Sequence, residues 1–181
     1  MAVAQSHGGA ESRSARAFTL VELIAVIVIT GILASVAIPS MGRVSEARSA
    51  GAARALAQQM AFARERALNL GNRTWVTFDV GLDSVALLSE PDGGTGFVDA
   101  VSLSDPLTDR PLGLSFNTGE FAGVGIASAS FDGGTTVGFD WLGSPITESG
   151  GALSADGIVT FDGGQAIRVR AMTGDIRMVI P

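Results

Sequence analysis

Residues 18–38 read FTLVELIAVIVITGILASVAI, and the fold turns on this run. Glu22 is its sole charge. As a helix rising ~1.5 Å per residue the run spans ~31 Å, the thickness of the ~30 Å hydrocarbon core of a bilayer. A helix in a globular core keeps a polar face, and this segment has none. A secretory signal peptide is the ordinary alternative, but its apolar region is usually ~7–15 residues long and ends at a small-residue cleavage site. Here the run is longer, carries an acid, and continues without a natural break. It predicts a membrane helix.

The flanks change character on both sides. Residues 1–17 (MAVAQSHGGAESRSARA) are small and polar, with Arg13 and Arg16 near their end. Residues 40–70 are a mixture of Ala, Arg, Gln and Glu, all good helix formers apart from a few Ser and Gly. Val44, Ala47, Leu56, Met60, Ala63 and Ala67 recur at three- and four-residue steps, which predicts one apolar stripe. Gly71-Asn72 then supply a stop. One nearly continuous helix is expected from Phe18 to about Leu70, with a kink or loosening at Pro39, which cannot donate to the carbonyl of Ser35.

Beyond Asn72 the period falls to two. Val76, Phe78 and Val80 alternate with Thr77 and Asp79; Ile167, Val169 and Ala171 alternate with Arg168 and Arg170; Ile176, Met178 and Ile180 flank Arg177. Clusters of Gly, Asp, Pro and Ser separate these runs, the pattern of an antiparallel sheet or sandwich. The expected class is α+β. Its parts are a leader (1–17), a membrane helix (18–38), an exposed amphipathic half of that helix (39–70) and a Gly-rich antiparallel β domain (71–181). The β domain has material to bury one face within itself and against the second half of the helix. Asp-Gly-Gly occurs three times, at 92–94, 132–134 and 162–164. Hairpin turns account for it better than a calcium site, because no D-x-[DN]-x-[DN]-G loop is present.

Composition removes most chemistry. The 12 basic residues are all Arg, and there is no Lys, Cys or Tyr and a single His, His7, in the polar leader. A disulfide framework, a thiolate metal site, a Cys nucleophile and a Schiff-base lysine are excluded. No cofactor or metal is expected. A net charge of −6 disfavours a general nucleic-acid binder.

Ala17-Phe18-Thr19-Leu20-Val21-Glu22, the apolar helix and Ala37-Ile38-Pro39 together resemble the N-terminus of type IV prepilins and type II secretion pseudopilins. The following helix, with Ala61-Phe62-Ala63-Arg64-Glu65-Arg66-Ala67, and the Gly-rich β region are more loosely similar to minor pseudopilins of the GspH/FimT type. The resemblance implies cleavage between Ala17 and Phe18 by a prepilin peptidase, N-methylation of Phe18, and assembly through an inner-membrane platform with other pilin or pseudopilin subunits. It implies a single pass through the inner-membrane lipid, N-terminus cytoplasmic and β domain periplasmic, or extracellular in a pilus. Ala17 departs from the family's usual Gly before the cut. Glu22 has a physical reading beside this one. A carboxylate at bilayer depth costs ~2.5–3.5 kcal/mol on insertion scales, and an opposite charge offsets that cost. The liberated amine of Phe18 on a neighbouring subunit is the natural partner, and an acid reaching the interface from near the helix start is the alternative.

Three functional classes follow. The first is a non-enzymatic structural subunit of a type IV pilus or a type II secretion pseudopilus. The second is nucleic-acid capture, with Arg168, Arg170 and Arg177 as phosphate contacts. Against it, the chain from Phe18 carries 10 Arg and 17 acids, and Asp175 replaces the first Arg of the FimT-like Gly-Arg-x-Arg signature at 174–177. The third is a membrane-tethered enzyme using paired carboxylates such as Asp132 and Asp140; Asp at Gly-rich turns is far more often a turn former.

Overall fold

A computed structural model of the chain describes residues 18–179, apart from the side chains of residues 36–43. The leader, Ala17 and Ile180 therefore lie outside the described residues. The chain divides into two compact units, Met1–Ser40 and Met41–Pro181.

A single helix, α1 (Leu20–Leu70), enters both units. Thr19 caps it: the Glu22 N–H donates to Thr19 Oγ1 at 3.2 Å, and the Leu23 N–H donates to the Thr19 carbonyl. The helical backbone runs through Pro39, in keeping with the nearly continuous helix expected from Phe18 to about Leu70. Gly71 ends it in the left-handed conformation (φ 72°), donating to the Ala67 carbonyl, as the Gly-Asn stop predicts.

The second unit completes the α+β class. Its first sheet holds β1 (Thr74–Asp79), β2 (Ser84–Ser89), β3 (Val101–Ser102), β4 (Gly113–Ser115), β6 (Thr136–Phe139) and β7 (Pro145–Ile146). The strand order is β3-β2-β1-β6-β7, with β4 also paired to β2. The second sheet holds β5 (Ile126–Ser130), β8 (Gly157–Phe161), β9 (Ala166–Val169) and β10 (Ile176–Val179), in the order β10-β9-β8-β5. Every strand pairing in both is antiparallel.

One core serves both sheets and the helix. Ala52, Ala53, Leu56, Met60, Ala63 and Ala67 of α1 are fully buried in it with Val76, Phe78, Leu87 and Val137 of the first sheet and Val159, Phe161, Ile167 and Val169 of the second. Two polar groups under the helix are matched. Thr74 Oγ1 donates to the Ala63 carbonyl at 2.8 Å, and Ser49 Oγ donates to Gln165 Oε1 at 2.6 Å. Phe78 of β1 stacks on Phe131 beyond β5 with centroids 5.5 Å apart, and the Ile126 N–H of β5 donates to Asp83 Oδ1. These contacts join the two sheets. Phe131 lies so close over Gly157 that a Cβ there would sit 2.1 Å from its ring, so β8 needs glycine at that position.

The stripe expected on the helix holds at four of its six positions. Leu56, Met60, Ala63 and Ala67 are buried, but Ala47 is exposed and Val44 is 50% exposed. The buried face begins at Ser49, because the sheets cover the helix only from there on. Leu56→Ala is expected to lower the unfolding free energy of the full chain by about 2–5 kcal/mol, and Val44→Ala by no more than about 0.5 kcal/mol. Denaturant titration in detergent measures both; equal losses would return Val44 to the core.

The Asp-Gly-Gly repeats are turns, as expected. Asp132 (φ 51°), Gly133 (φ 86°), Gly93 (φ 76°) and Gly164 (φ 82°) take left-handed conformations. Asp132 also accepts from the Ser154 N–H at 2.6 Å and from Ser154 Oγ at 2.8 Å. The backbone N–H first, then the hydroxyl, holds its carboxyl below the ordinary value of 3.8. A lowered acid contributes stability in full above its unfolded value and loses it as pH falls through the folded one. An NMR titration should place the Asp132 midpoint below 3.8, and Ser154→Ala should raise it. A midpoint unmoved by that substitution would remove the hydroxyl as a cause.

Candidate functional site

The N-terminal segment carries the clearest functional signal. From Leu20 to Ser35 every described side chain is exposed, including Leu20, Val21, Leu23, Ile24, Ile27, Ile29 and Leu33. The hydroxyls that interrupt this run are turned back onto it: Thr30 Oγ1 donates to the Val26 carbonyl and Ser35 Oγ to the Ile32 carbonyl, each at 2.7 Å. The segment thus presents apolar surface all round, with its hydroxyl groups satisfied from within. Among the described residues no helix is long and apolar enough to cross a membrane. The side chains of residues 36–43, within which the apolar run closes at Ile38, lie outside the described residues.

Phe18 is exposed, one residue ahead of the cap, and Glu22 stands in the first turn. A carboxylate there complements the unsatisfied N–H groups of the helix start. Thr19-Leu20-Val21-Glu22 matches the S/T-x-x-E pattern of a capping box, the sequence signal by which the Thr19 cap is readable. The cleavage residue Ala17 and the side chain of Pro39 fall outside the described residues.

The three candidate phosphate contacts come together in the second unit. Arg168 of β9 lies opposite Arg177 of β10 in register, and Arg170 follows two residues after Arg168 on the same exposed face. With Met178 and Val179 they line a shallow hollow of about 380 Å³. Arg177 is not free, since its Nε donates to Asp175 Oδ2. The acid that breaks the Gly-Arg-x-Arg pattern thus neutralises part of the cluster. Ile158, opposite Arg168 on β8, and Ser130, opposite Ile158 on β5, offer no aromatic ring for base stacking.

The two carboxylates considered as a pair are each engaged in a turn. Asp132 is engaged by Ser154, and Asp140 Oδ1 accepts from the Leu142 and Ser144 N–H groups at 2.9 and 2.8 Å. Both shape turns. Among the described residues no group of three or more His, Cys, Asp or Glu is placed to hold a metal ion. Sequence reasoning missed Arg64, which nothing in its spacing marks. Its Nε donates to the Gly143 carbonyl at 2.9 Å and its Nη2 to the Thr173 carbonyl at 3.2 Å. One guanidinium therefore ties α1 to a turn of each sheet.

Comparison with known proteins bears on both parts of the chain. Residues 12–38 match the prokaryotic N-terminal methylation motif, which spans Ala17, Phe18 and Glu22. No curated protein sequence matches the chain. Two solved structures of the minor pseudopilin EpsH from the type II secretion system of Vibrio cholerae share its fold at 12% sequence identity. One has a TM-score of 0.53 and covers 74% of this chain and 96% of EpsH. The other has a TM-score of 0.54 and covers 75% and 96%. The chain thus joins a prokaryotic N-terminal methylation motif to a body with the minor-pseudopilin fold.

Proposed function

We propose that the protein is a minor structural subunit of a type IV filament machine, matured by prepilin peptidase at Ala17–Phe18 and held in the inner membrane until it assembles. The observation that carries this reading is the all-round apolar exposure from Leu20 to Ser35. At ~25 cal/mol per Å² such a surface is strongly unfavourable in water, so lipid or neighbouring helices must cover it. A filament subunit uses both covers in turn. The sequence run of residues 18–38 is long enough to span, and the leader would remain cytoplasmic while the β body faces the periplasm. Fold likeness to EpsH favours a type II secretion pseudopilus over a pilus.

Glu22 selects the register. With its first-turn position fixed by Thr19, its carboxylate sits one helical turn from Phe18, whose new amine stays cationic after methylation. In a medium of low polarity, the Glu22 of one subunit and the amine of the next offset each other's desolvation in one axial arrangement. The role is structural rather than catalytic, and the engagement of Asp132 and Asp140 in turns supports this.

Mass spectrometry of the protein from its own host should find a chain beginning at Phe18 with one added methyl group. A Met1 start, or a cut beyond Ile38, would contradict the reading. Glu22→Ala should leave cleavage intact and reduce filament incorporation at least tenfold; incorporation equal to the wild type removes the charge pair. In a salt series with duplex DNA the full chain in detergent should show no affinity that falls with salt. A log–log slope near −2 or steeper would instead assign Arg168 and Arg170 to phosphates.

A further inference from the structure

The face of β1 turned away from the core carries a cleft that the proposed function does not use. Val76 and Phe78 belong to the core, so Trp75 between them and Thr74 projects from the other face of the sheet. It is fully buried there against Phe97, edge-on, with ring centroids 5.7 Å apart. Beside it, the segments 95–98 and 147–150 border a cleft of about 520 Å³. That volume lies within the ~300–1,000 Å³ typical of small-ligand sites. Both walls are preformed. The Thr95 N–H and Oγ1 donate to Asp99 Oδ2 at 3.0 and 2.6 Å, and the Gly150 N–H donates to the Thr147 carbonyl at 3.0 Å. Little ordering is therefore lost on binding.

The Arg73 guanidinium stands between these walls. A Cβ built on Gly96 would sit 3.8 Å from its Nη1, and one built on Gly150 3.7 Å. The Arg73 backbone N–H donates to Glu90 Oε2 at 3.4 Å, but the guanidinium forms no ion pair among the described residues. Its planar fork of donors faces the cleft's acceptors, the carboxylates of Asp132 and Glu148 and the Ser149 hydroxyl. Ser154 takes one bond on each Asp132 oxygen and leaves the remaining lone pairs. The half-buried Phe97 ring and Val98, 93% exposed, add apolar surface.

This mixture selects a ligand by elimination. Asp132, Glu148 and the neighbouring Glu90 repel an anion, and Arg73 repels a cation. A hydrocarbon would desolvate Arg73 and Glu148 and give neither a partner. An extended peptide adds to a free strand edge, but β1 is paired on both sides, to β2 and to β6. A neutral, polyhydroxylated ring meets every group: its hydroxyls donate to Asp132 and Glu148, its oxygens accept from Arg73, and its C–H face covers Phe97. We infer that this cleft binds a short stretch of uncharged saccharide chain. The inference stands apart from the filament reading, since it uses only groups of the β body.

The test titrates the full chain, in lauryldimethylamine oxide (a detergent without a sugar headgroup), with triacetylchitotriose and separately with cellotriose. Trp75 lines the cleft, and Trp141, the other of the two tryptophans, has its ring centroid 5.6 Å from the Arg73 guanidinium. Intrinsic fluorescence and calorimetry therefore both report occupancy. Saturable binding of at least one trisaccharide is expected at millimolar concentration. Preference for the acetylated trimer assigns an amino-sugar glycan, preference for cellotriose a glucan, and equal affinity a site for the ring hydroxyls they share. Arg73→Ala should weaken binding about tenfold, and Glu148→Ala, at an exposed position, about threefold with unchanged circular dichroism. Arg168→Ala, on the second sheet, should leave it unchanged. The inference is overturned by a null titration with both sugars, by affinity indifferent to Glu148→Ala and Arg73→Ala, or by tighter binding of citrate or triglycine.

Discussion

The rest of the second unit depends on the buried face of α1 from Ser49 to Ala67. Four of its core residues are alanines, Ala52, Ala53, Ala63 and Ala67, which let strand side chains approach the helix closely. Leu56 and Met60 fill the space between. Because Phe78 and Phe131 stack across the sheets, and Asp83 holds β5, neither sheet settles on the helix independently. A small helix face and large aromatic strand residues are complementary choices, and replacing either alone leaves a void or a clash.

The same helix has no such cover before residue 44 among its described side chains. Its two halves thus follow opposite rules. In one, apolar groups are buried by strands of the same chain and polar groups point outward. In the other, apolar groups face outward, and Thr30 and Ser35 turn inward to the backbone. Thr19 and Glu22 matter more in that setting than at a helix start in water. An uncapped N–H exposed to hydrocarbon is costly, and a carboxylate there gains little from solvent. On the proposed filament reading, the cap and the acid would together serve to begin a helix in oil.

Much of this was legible in the sequence. The α+β class, the end of α1 at Gly71 and strands over Val76, Ile167 and Ile176 follow from period and turn chemistry, which are local properties. Val44 and Ala47 were misplaced because helical spacing shows which residues share a face, not where another element begins to cover it. That boundary is set by the length of the strands packed on α1, a long-range fact. Arg64 was invisible for a related reason. Its partners are carbonyls of Gly143 and Thr173, and backbone acceptors leave no mark on residue identity. The Arg168–Arg177 juxtaposition was partly readable from alternation, but the pairing register that puts them opposite each other was not.

The arginines show why net charge is a poor guide to a surface. With 18 acids to 12 bases the chain looks uniformly acidic. Many acids are nevertheless spent locally: Asp79, Asp105 and Asp140 accept from backbone N–H groups in their own turns, and Asp175 from Arg177. Such acids are fixed in place by the turns they hold. Arg64 works within the fold, whereas Arg168 and Arg170 project from a strand and the turn after it. Arginines can therefore stand opposite each other across a strand pair in an acidic protein, because turn formation, rather than partner recognition, dictates where several of its carboxylates go.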